Sequence, residues 1–423
     1  MRVVHILRKY DPSEWGGTES ALHLLLDEMR GCGTESVVYA PRLEREPASD
    51  PLAAVGVEVK RFRACLPVWG LPAERRRQLV AVGGNLCSFE LPRALQREQE
   101  AKLIHTHALG RLGGVALTVA RRRGVPLVVT IHGGAMDLPE ALQRNLQGSG
   151  PKGWEWGKLF GLVYQSRHLL ERADAILTCN PREAELLRKR YPDRRVLVHP
   201  HGVPRERYLV NHRPAGRRVL ADRPGELILC LGRIDAVKNQ RWLVEQAPEL
   251  LRRRPQARLV LVGACTDAAY GVELNRLIRE LGLVDRVVLT GGLPPGDPRL
   301  VGLLQEAAAV VIPSVSETFG LVILEAWAAG TPVISSRTSG ASSLIRHGED
   351  GWLFDLGRPE DFQEQVERTL GSPALAAQLS AGGRRRVATE YDSKVLADRM
   401  QNLYDELIAE KRWEAAGARV AVA

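Results

Sequence analysis

The chain has 423 residues, 44% of them hydrophobic and 26% charged, and a formal net charge of +9. That length calls for two domains, and the composition excludes the disordered, collagen-like and disulfide-scaffold classes. No stretch reaches the roughly 18 uninterrupted apolar residues of a membrane span, and the opening run Val3–Leu7 is too short for a secretion signal.

In chain order, short β-branched runs alternate with amphipathic helical stretches. Val3–Leu7, Ser36–Ala40, Leu103–His107, Leu127–Ile131, Ala175–Cys179 and Val196–Val198 read as buried strands, with helices such as Ser20–Arg30 and Arg182–Arg190 between them. The alternation restarts at Leu227–Leu231 and continues through Arg258–Val262, Val287–Leu289, Ala309–Ile312 and Val333–Ser335. Two βα series predict an α/β protein of two doubly wound, Rossmann-like domains with parallel sheets. The Pro-, Gly- and Arg-rich stretch Pro200–Gly225 reads as the break and hinge between them. We place the first domain at residues 1–205 and the second at 206–390. Facing domains of this kind form an interdomain cleft at the carboxyl ends of their strands, where ligands bind.

The charge is unevenly spread. Residues 1–200 hold 30 Lys and Arg against 22 Asp and Glu, and residues 201–423 hold 29 against 28. The surplus sits in residues 51–125, with 13 basic and 5 acidic side chains. A solvated Arg-rich surface explains it, and so does a basic face for nucleic acid, a nucleotide-linked substrate or an anionic membrane. The six cysteines, far apart and without a C-x-x-C pair, read as isolated buried thiols in a reducing compartment.

Strand-end loops carry the chemistry. After the first strand, Gly16 and Gly17 precede a helix and let backbone amides approach a phosphate or sugar. The strands ending I-H-T-H-A-L-G and V-T-I-H-G-G place His107 and His132 at the cleft edge, while alternation turns His105 away from His107. No H-E-x-x-H or cysteine cluster accompanies these histidines, so no metal is expected. In G-R-I-D-A-V-K-N, Arg233 and Lys238 suit a diphosphate, one as a fork and one as a point charge. In P-S-V-S-E-T-F-G-L-V-I-L-E-A-W-A-A-G-T-P-V-I, Glu317 lies in a loop. Thr318, Phe319 and Gly320 open a helix at Leu321, and Glu325 lies inside it. A helix start is an anion site, and carboxylates beside it suit a hydroxyl-rich ligand joined to phosphate.

Together, G-R-x5-K, S-x-x-E-x-F-G-L-x-x-x-E-A-x-A-x-G-x-P-V-I, the early G-G loop and T-I-H-G-G resemble glycosyltransferase family 4 over nearly the whole chain. Two positions depart from its pattern: His201 stands where N-G-V is more usual, and Val237 where an acidic residue often precedes the lysine. The resemblance implies a GT-B fold and retaining transfer from a nucleotide-diphosphate sugar without metal or other cofactor. It assigns Arg233 and Lys238 to the donor diphosphate, and Gly16 and Gly17 to the same group from the opposite wall. Glu317, with the amides of Phe319 and Gly320, would hold the transferred sugar. Glu325 would accept from the ribose hydroxyls, and His132 would line the sugar site. Gly291 and Leu293 would lie against the base, with Thr318 and Leu321 completing the donor set. On the acceptor side stand Glu19, His107, Trp154 and Trp156.

The expected partners are the sugar nucleotide and a glycan or lipid-linked acceptor in cell-surface or exopolysaccharide assembly. The protein would be cytoplasmic and would touch the anionic inner leaflet through residues 51–125; no nucleic acid is expected. A sucrose-synthase-like or other small-acceptor transferase, a sugar-nucleotide epimerase and a non-catalytic binding protein are the alternatives. The terminal helix Ser393–Arg412 would cross back to the first domain within residues 391–423, and Ala415–Ala423 would fray.

Overall fold

A computed structural model describes residues 1–12, 16–43, 49–70, 72, 80, 85–132, 154–220, 225–294 and 296–420. The chain forms two compact units, Met1–Pro200 with Leu396–Ala423, and His201–Val395. Among the described residues, no helix is long and apolar enough to cross a membrane.

In the first unit the strands are β1 (Arg2–Ile6), β2 (Glu35–Pro41), β3 (Glu58–Phe62), β4 (Val68–Trp69), β5 (Leu103–Thr106), β6 (Leu127–Ile131), β7 (Trp154–Glu155), β8 (Ala175–Thr178) and β9 (Val196–Val198). Seven form a parallel sheet in the order β3-β2-β1-β5-β6-β8-β9. Strand alternation splits the buried residues between two faces. Val4, Ile6, Ile104, Val129 and Ile176 meet the helix Gly110–Arg123 in one core. Val3, Leu103, Val128 and Leu177 meet Met400, Leu403, Tyr404 and Leu407 of the helix Ser393–Val420 in another. That terminal helix therefore covers a sheet face, and it continues eight residues past Arg412 instead of fraying at Ala415.

The sequence reading missed the edge strand β3 because E-V-K-R-F lacks an apolar run. Its Lys60 pairs instead with Glu98, which also accepts from Tyr39 Oη at 2.7 Å. Strands β4 and β7 form a separate antiparallel ribbon. Several basic side chains of residues 51–125 point inward. Arg123 donates to the carbonyls of Leu95, Gln99 and Ala101. Arg61 donates to those of Tyr10 and Pro41, and Arg111 to those of Gly157 and Asn85. Part of the expected basic face is thus structural. The run Glu74–Arg77 lies outside the described residues.

The second unit contains β10 (Glu226–Leu231), β11 (Ala257–Val262), β12 (Val287–Gly291), β13 (Ala309–Ile312), β14 (Val333–Ser336) and β15 (Trp352–Phe354), all parallel, in the order β12-β11-β10-β13-β14-β15. Its core joins Ile228, Leu259, Val311 and Ile334 to Leu243, Leu250, Phe354 and Phe362. Strand β15 was not anticipated: only three residues long, it carries no period of its own.

The chain passes between the units at Pro200–His201, the start of the expected break, but the stretch to Gly225 is not a linker. Residues from His201 belong to the second unit and form helices Arg205–Leu209 and Arg213–Val219. Gly216 packs so closely on Gly302 that a Cβ would lie 2.3 Å from its carbonyl carbon. The unit ends at Val395, not 390. Residues 221–224 lie outside the described set.

Candidate functional site

In the second unit, chain order reverses between β10 and β13, the position where open α/β sheets bind ligands. The loops leaving these two strands carry the predicted cations and carboxylate. After β10, the Asp235 side chain accepts from the amides of Val237 at 3.0 Å and Lys238 at 2.9 Å, which folds the loop back on itself. Asn239 follows with φ +58° and donates its side-chain amide to Pro313 O at 3.1 Å, tying this loop to the one after β13. Gln240, fully buried, donates to Arg233 O at 2.8 Å. Neighbouring Gly263 must be glycine, since a Cβ there would sit 1.9 Å from Gly232 O.

These constraints place Lys238 Nζ against Glu317 Oε1 in an ion pair. Ser314 Oγ adds a hydrogen bond to the same carboxylate oxygen at 3.1 Å. Arg233 is more open, with its side chain 56% exposed and Nη2 3.4 Å from Asp235 Oδ2. The site thus holds two cations: one held by the carboxylate expected to hold sugar, the other free to reorient. Gly320 caps the helix Leu321–Ala329 with φ +102°, a conformation that favours glycine. Phe319 is buried against His201, ring centroids 4.9 Å apart. The Glu317 carbonyl accepts from Gly340 N at 2.9 Å, which fixes the Thr318–Gly320 turn from behind.

Glu325 stands one turn into that helix. Burial pushes its carboxyl up to about 7, opposed by the Arg207 guanidinium and by a hydrogen bond from Tyr208. Gly291 (φ +75°) ends β12 and Leu293 follows it, at the carboxyl edge of the same sheet. The Gly291 carbonyl accepts from Gly263 N at 3.0 Å.

The first unit has the same logic: its order reverses between β1 and β5. Gly16 caps the helix Gly17–Gly31, and its carbonyl accepts from Ser20 N at 3.0 Å. A Cβ at Gly16 would lie 3.0 Å from Glu19 Oε2, so the glycine lets Glu19 fold over the helix start. Residues 13–15 of this loop, and Gly133 and Gly134 after His132, lie outside the described residues.

Four histidines collect at this edge. His5 Nδ1 lies 3.2 Å from His107 Nε2, and His107 Nδ1 lies 2.8 Å from His132 Nε2. A neutral imidazole donates through one nitrogen and accepts through the other. With all three rings neutral, such a chain orders its protons in one direction. His105 is fully buried, with Nδ1 2.5 Å from Tyr404 Oη and Nε2 2.6 Å from Thr130 Oγ1. Its ring stacks on His107 at 4.2 Å, which corrects the expected separation of the two: side chains two residues apart along a strand share a face. Burial lowers His5 to about 3 and His132 to about 4, and holds His105 well below the usual imidazole range. One nitrogen from each of His5, His105 and His107 lies within 4.8 Å of the others, a spacing open to a metal ion. Both His105 nitrogens already have hydroxyl partners.

Trp156 joins an aromatic cluster, stacked on Phe89 at 6.3 Å and 6.5 Å from Trp69. The backbone of Trp154 pairs with Trp69; its side chain lies outside the described residues. Sequence reasoning missed Asp235, Asn239, Ser314, Tyr208 and His5. The first three act within tight turns, and the last two become neighbours of the site only through sheet order and helix packing.

Residues 16–210 match the family described as "Glycosyl transferase 4-like domain", and residues 216–386 match "Glycosyl transferases group 1". The chain is 30% identical over 428 residues to a D-inositol 3-phosphate glycosyltransferase of Acidothermus cellulolyticus, covering 93% of this chain and 90% of that one. In fold it is similar to the sucrose-phosphate synthase of Thermosynechococcus elongatus, with TM-score 0.70 and 24% identity over 97% of this chain and 99% of that one. It is similar also to Anabaena Alr3699/HepE solved in complex with UDP-glucose, with TM-score 0.69 and 19% identity over 96% of this chain and 100% of that one.

Proposed function

This chain belongs to glycosyltransferase family 4, and from that premise we propose that it moves a hexosyl unit from a nucleotide-diphosphate sugar to a hydroxyl of a glycan or lipid-linked acceptor, with retention at the anomeric carbon and no bound metal. The two α/β units have the GT-B fold. The observation that carries the reading is the convergence of Arg233, Lys238 and Glu317 at the reversal point of the second sheet.

The leaving group is a nucleoside diphosphate, which gains charge as the anomeric C–O bond breaks. Fixed cations lower that barrier most when they are already oriented. Lys238 is so held, and Arg233 can swing from Asp235 to a phosphate. Arrival of the diphosphate gives Lys238 a second anion, and Glu317 turns toward the sugar hydroxyls. The acceptor oxygen bonds the anomeric carbon on the face the diphosphate leaves, and its proton passes to a phosphate oxygen. In the first unit, His132 and the amides beginning at Gly16 and Gly17 are the groups suited to bond a sugar or a phosphate.

Glu325 gives a pH signature. Only its carboxylate accepts from both ribose hydroxyls, and its pKa of about 7 in the fold means that it ionises across neutral pH. Donor KM is therefore expected to fall as pH rises from 6 to 8, read from acceptor-dependent release of nucleoside diphosphate. Glu325→Gln should raise donor KM about tenfold, the loss of a hydrogen bond to a charged group, and flatten that dependence. An unchanged KM and an unchanged pH profile would remove the ribose role.

Lipid contact is supported by exposed apolar side chains: Trp69 (62%), Phe89 (63%), Leu159 (73%), Leu162 (74%) and Val163 (67%). Leu159, Leu162 and Val163 share the helix Lys158–Val163, and Phe160 of that helix meets Phe89 edge-on at 5.4 Å. Apolar side chains in a half with surplus positive charge suit an anionic bilayer surface. Flotation with anionic vesicles should carry the wild type upward and should weaken in Leu159→Ser/Leu162→Ser. A second reading, a small phosphorylated acceptor, is favoured by the relative's name. It predicts no flotation and turnover with a soluble polyol phosphate.

A further inference from the structure

Cys65 and Cys87 are not isolated thiols. They form an antiparallel bridge pair, each amide donating to the other's carbonyl at 2.9 Å. Their sulfurs lie 3.4 Å apart. Cys65 is exposed and Cys87 is buried. The other four thiols have no such partner: Cys32 bonds Asp398 and Cys265 bonds Asp267 O, while Cys179 and Cys230 are buried.

We propose that Cys65 and Cys87 are a modification site, a dithiol that a low-molecular-weight disulfide oxidises to an intramolecular disulfide. A directly hydrogen-bonded antiparallel pair has its Cα atoms about 5.5 Å apart, inside the range of roughly 4.4–6.8 Å that a disulfide spans. The sulfurs need only close to about 2.05 Å, through side-chain rotation and a small strand shift.

Exposure makes Cys65 the attacking thiol. Its thiolate displaces one thiolate from the reagent, which leaves a mixed disulfide on Cys65 and one reduced reagent thiol. Cys87 then loses its proton to solvent and attacks the Cys65 sulfur, expelling the second reagent thiolate. Two cysteines are oxidised by two electrons in all, and one reagent disulfide is reduced to two thiols. Burial and the hydrogen bond to Cys65 push Cys87 up to about 12. The mixed disulfide takes away the Cys65 charge that contributes to this. In a reducing compartment such a bond is transient and responds to the thiol pool. It would close a covalent ring over residues 65–87, which includes Trp69 of the exposed apolar surface.

The experiment incubates the full chain with glutathione disulfide, blocks remaining thiols with N-ethylmaleimide under denaturing conditions, and maps tryptic peptides without reductant. Cleavage after Arg63, Arg75, Arg77 and Arg93 puts the two cysteines on separate peptides, 64–75 and 78–93. The expected product is these two peptides joined, two hydrogens lighter than their sum, with the other four cysteines alkylated and full reversal by dithiothreitol. Cys87→Ser should stop at glutathione on Cys65, and Cys65→Ser should react at neither position. Stable glutathione on Cys65 of the wild type, cross-links to other cysteines, or six alkylated thiols would overturn the assignment.

Discussion

Lys238→Ala is expected to lower kcat about a hundred- to a thousandfold, the usual cost of removing one fixed group that stabilises transition-state charge, while donor KM moves less than tenfold. Lys238 Nζ is anchored by Glu317, and its backbone by Asp235, so its charge is in place before the diphosphate leaves. Binding the ground-state diphosphate uses some of that charge, and the developing leaving group uses more. The asymmetry should therefore appear in kcat and not in KM. Arg233→Ala should behave alike with a smaller effect, because its exposed side chain must first leave Asp235. Lys238→Ala also leaves Glu317 with Ser314 as its remaining side-chain hydrogen bond among the described residues. The pair Lys238→Ala/Glu317→Gln separates the two losses: if Lys238 acts through charge on the leaving group, the double variant recovers none of the lost kcat. Equal falls in kcat and rises in KM for Lys238→Ala would rule out the charge-stabilising role.

The second large effect is acid sensitivity concentrated in the first unit; in the second, burial lowers His347. Burial lowers His5, His132 and His199 to about 3, 4 and 4, and His105 well below its ordinary value. Their unfolded value is about 6.5. Between these limits the unfolded chain takes up protons that the folded unit refuses, so stability is full above about 6.5 and is lost as pH falls below it. Each histidine removes up to about 1.4 kcal/mol per pH unit, so four remove on the order of 5 kcal/mol, comparable to the stability of a domain. Glu325 acts in the opposite sense in the second unit. Its pKa is raised to about 7, so its contribution is full below the ordinary carboxyl value and is lost as pH rises through 7. Calorimetry at pH 7.5, 6.5 and 5.5 should show the first unit's transition falling steeply and the second's, where burial lowers His347, falling less. His5→Gln should reduce that slope. Two transitions moving in parallel would contradict the linkage.

These two predictions draw on features of unequal legibility. Arg233, Lys238, Glu317 and Glu325 could be named from the sequence because each lies at a fixed distance from a strand or helix end, and backbone periodicity sets that distance. The Lys238–Glu317 ion pair could not, since it joins residues 79 apart whose strands become neighbours only when β13 inserts beside β10. His5 reads as one more core position of β1. It meets His107 because β1 lies between β2 and β5. Cys65 and Cys87 lack the spacing of any known motif and meet through one isolated bridge. The stretch after Pro200 reads as a linker from its Pro, Gly and Arg content, yet Gly216 there serves close helix packing on Gly302. Composition reports loop propensity, and tertiary contact overrode it. Charge misled in a similar way: of the 13 basic residues in 51–125, Arg61, Arg111 and Arg123 serve backbone carbonyls within the first unit.

The most direct test of donor binding is a thermal-shift titration of the full chain with UDP-, GDP- and ADP-sugars, repeated on Lys238→Ala. At a hundred times Kd a ligand adds about 2.7 kcal/mol, or roughly 5–10 °C for a unit of this size. One base class is expected to produce such a rise, and Lys238→Ala to need more ligand for the same rise. No shift with any of the three, at concentrations that saturate a sugar-nucleotide enzyme, would contradict the assignment of the second unit as the donor site.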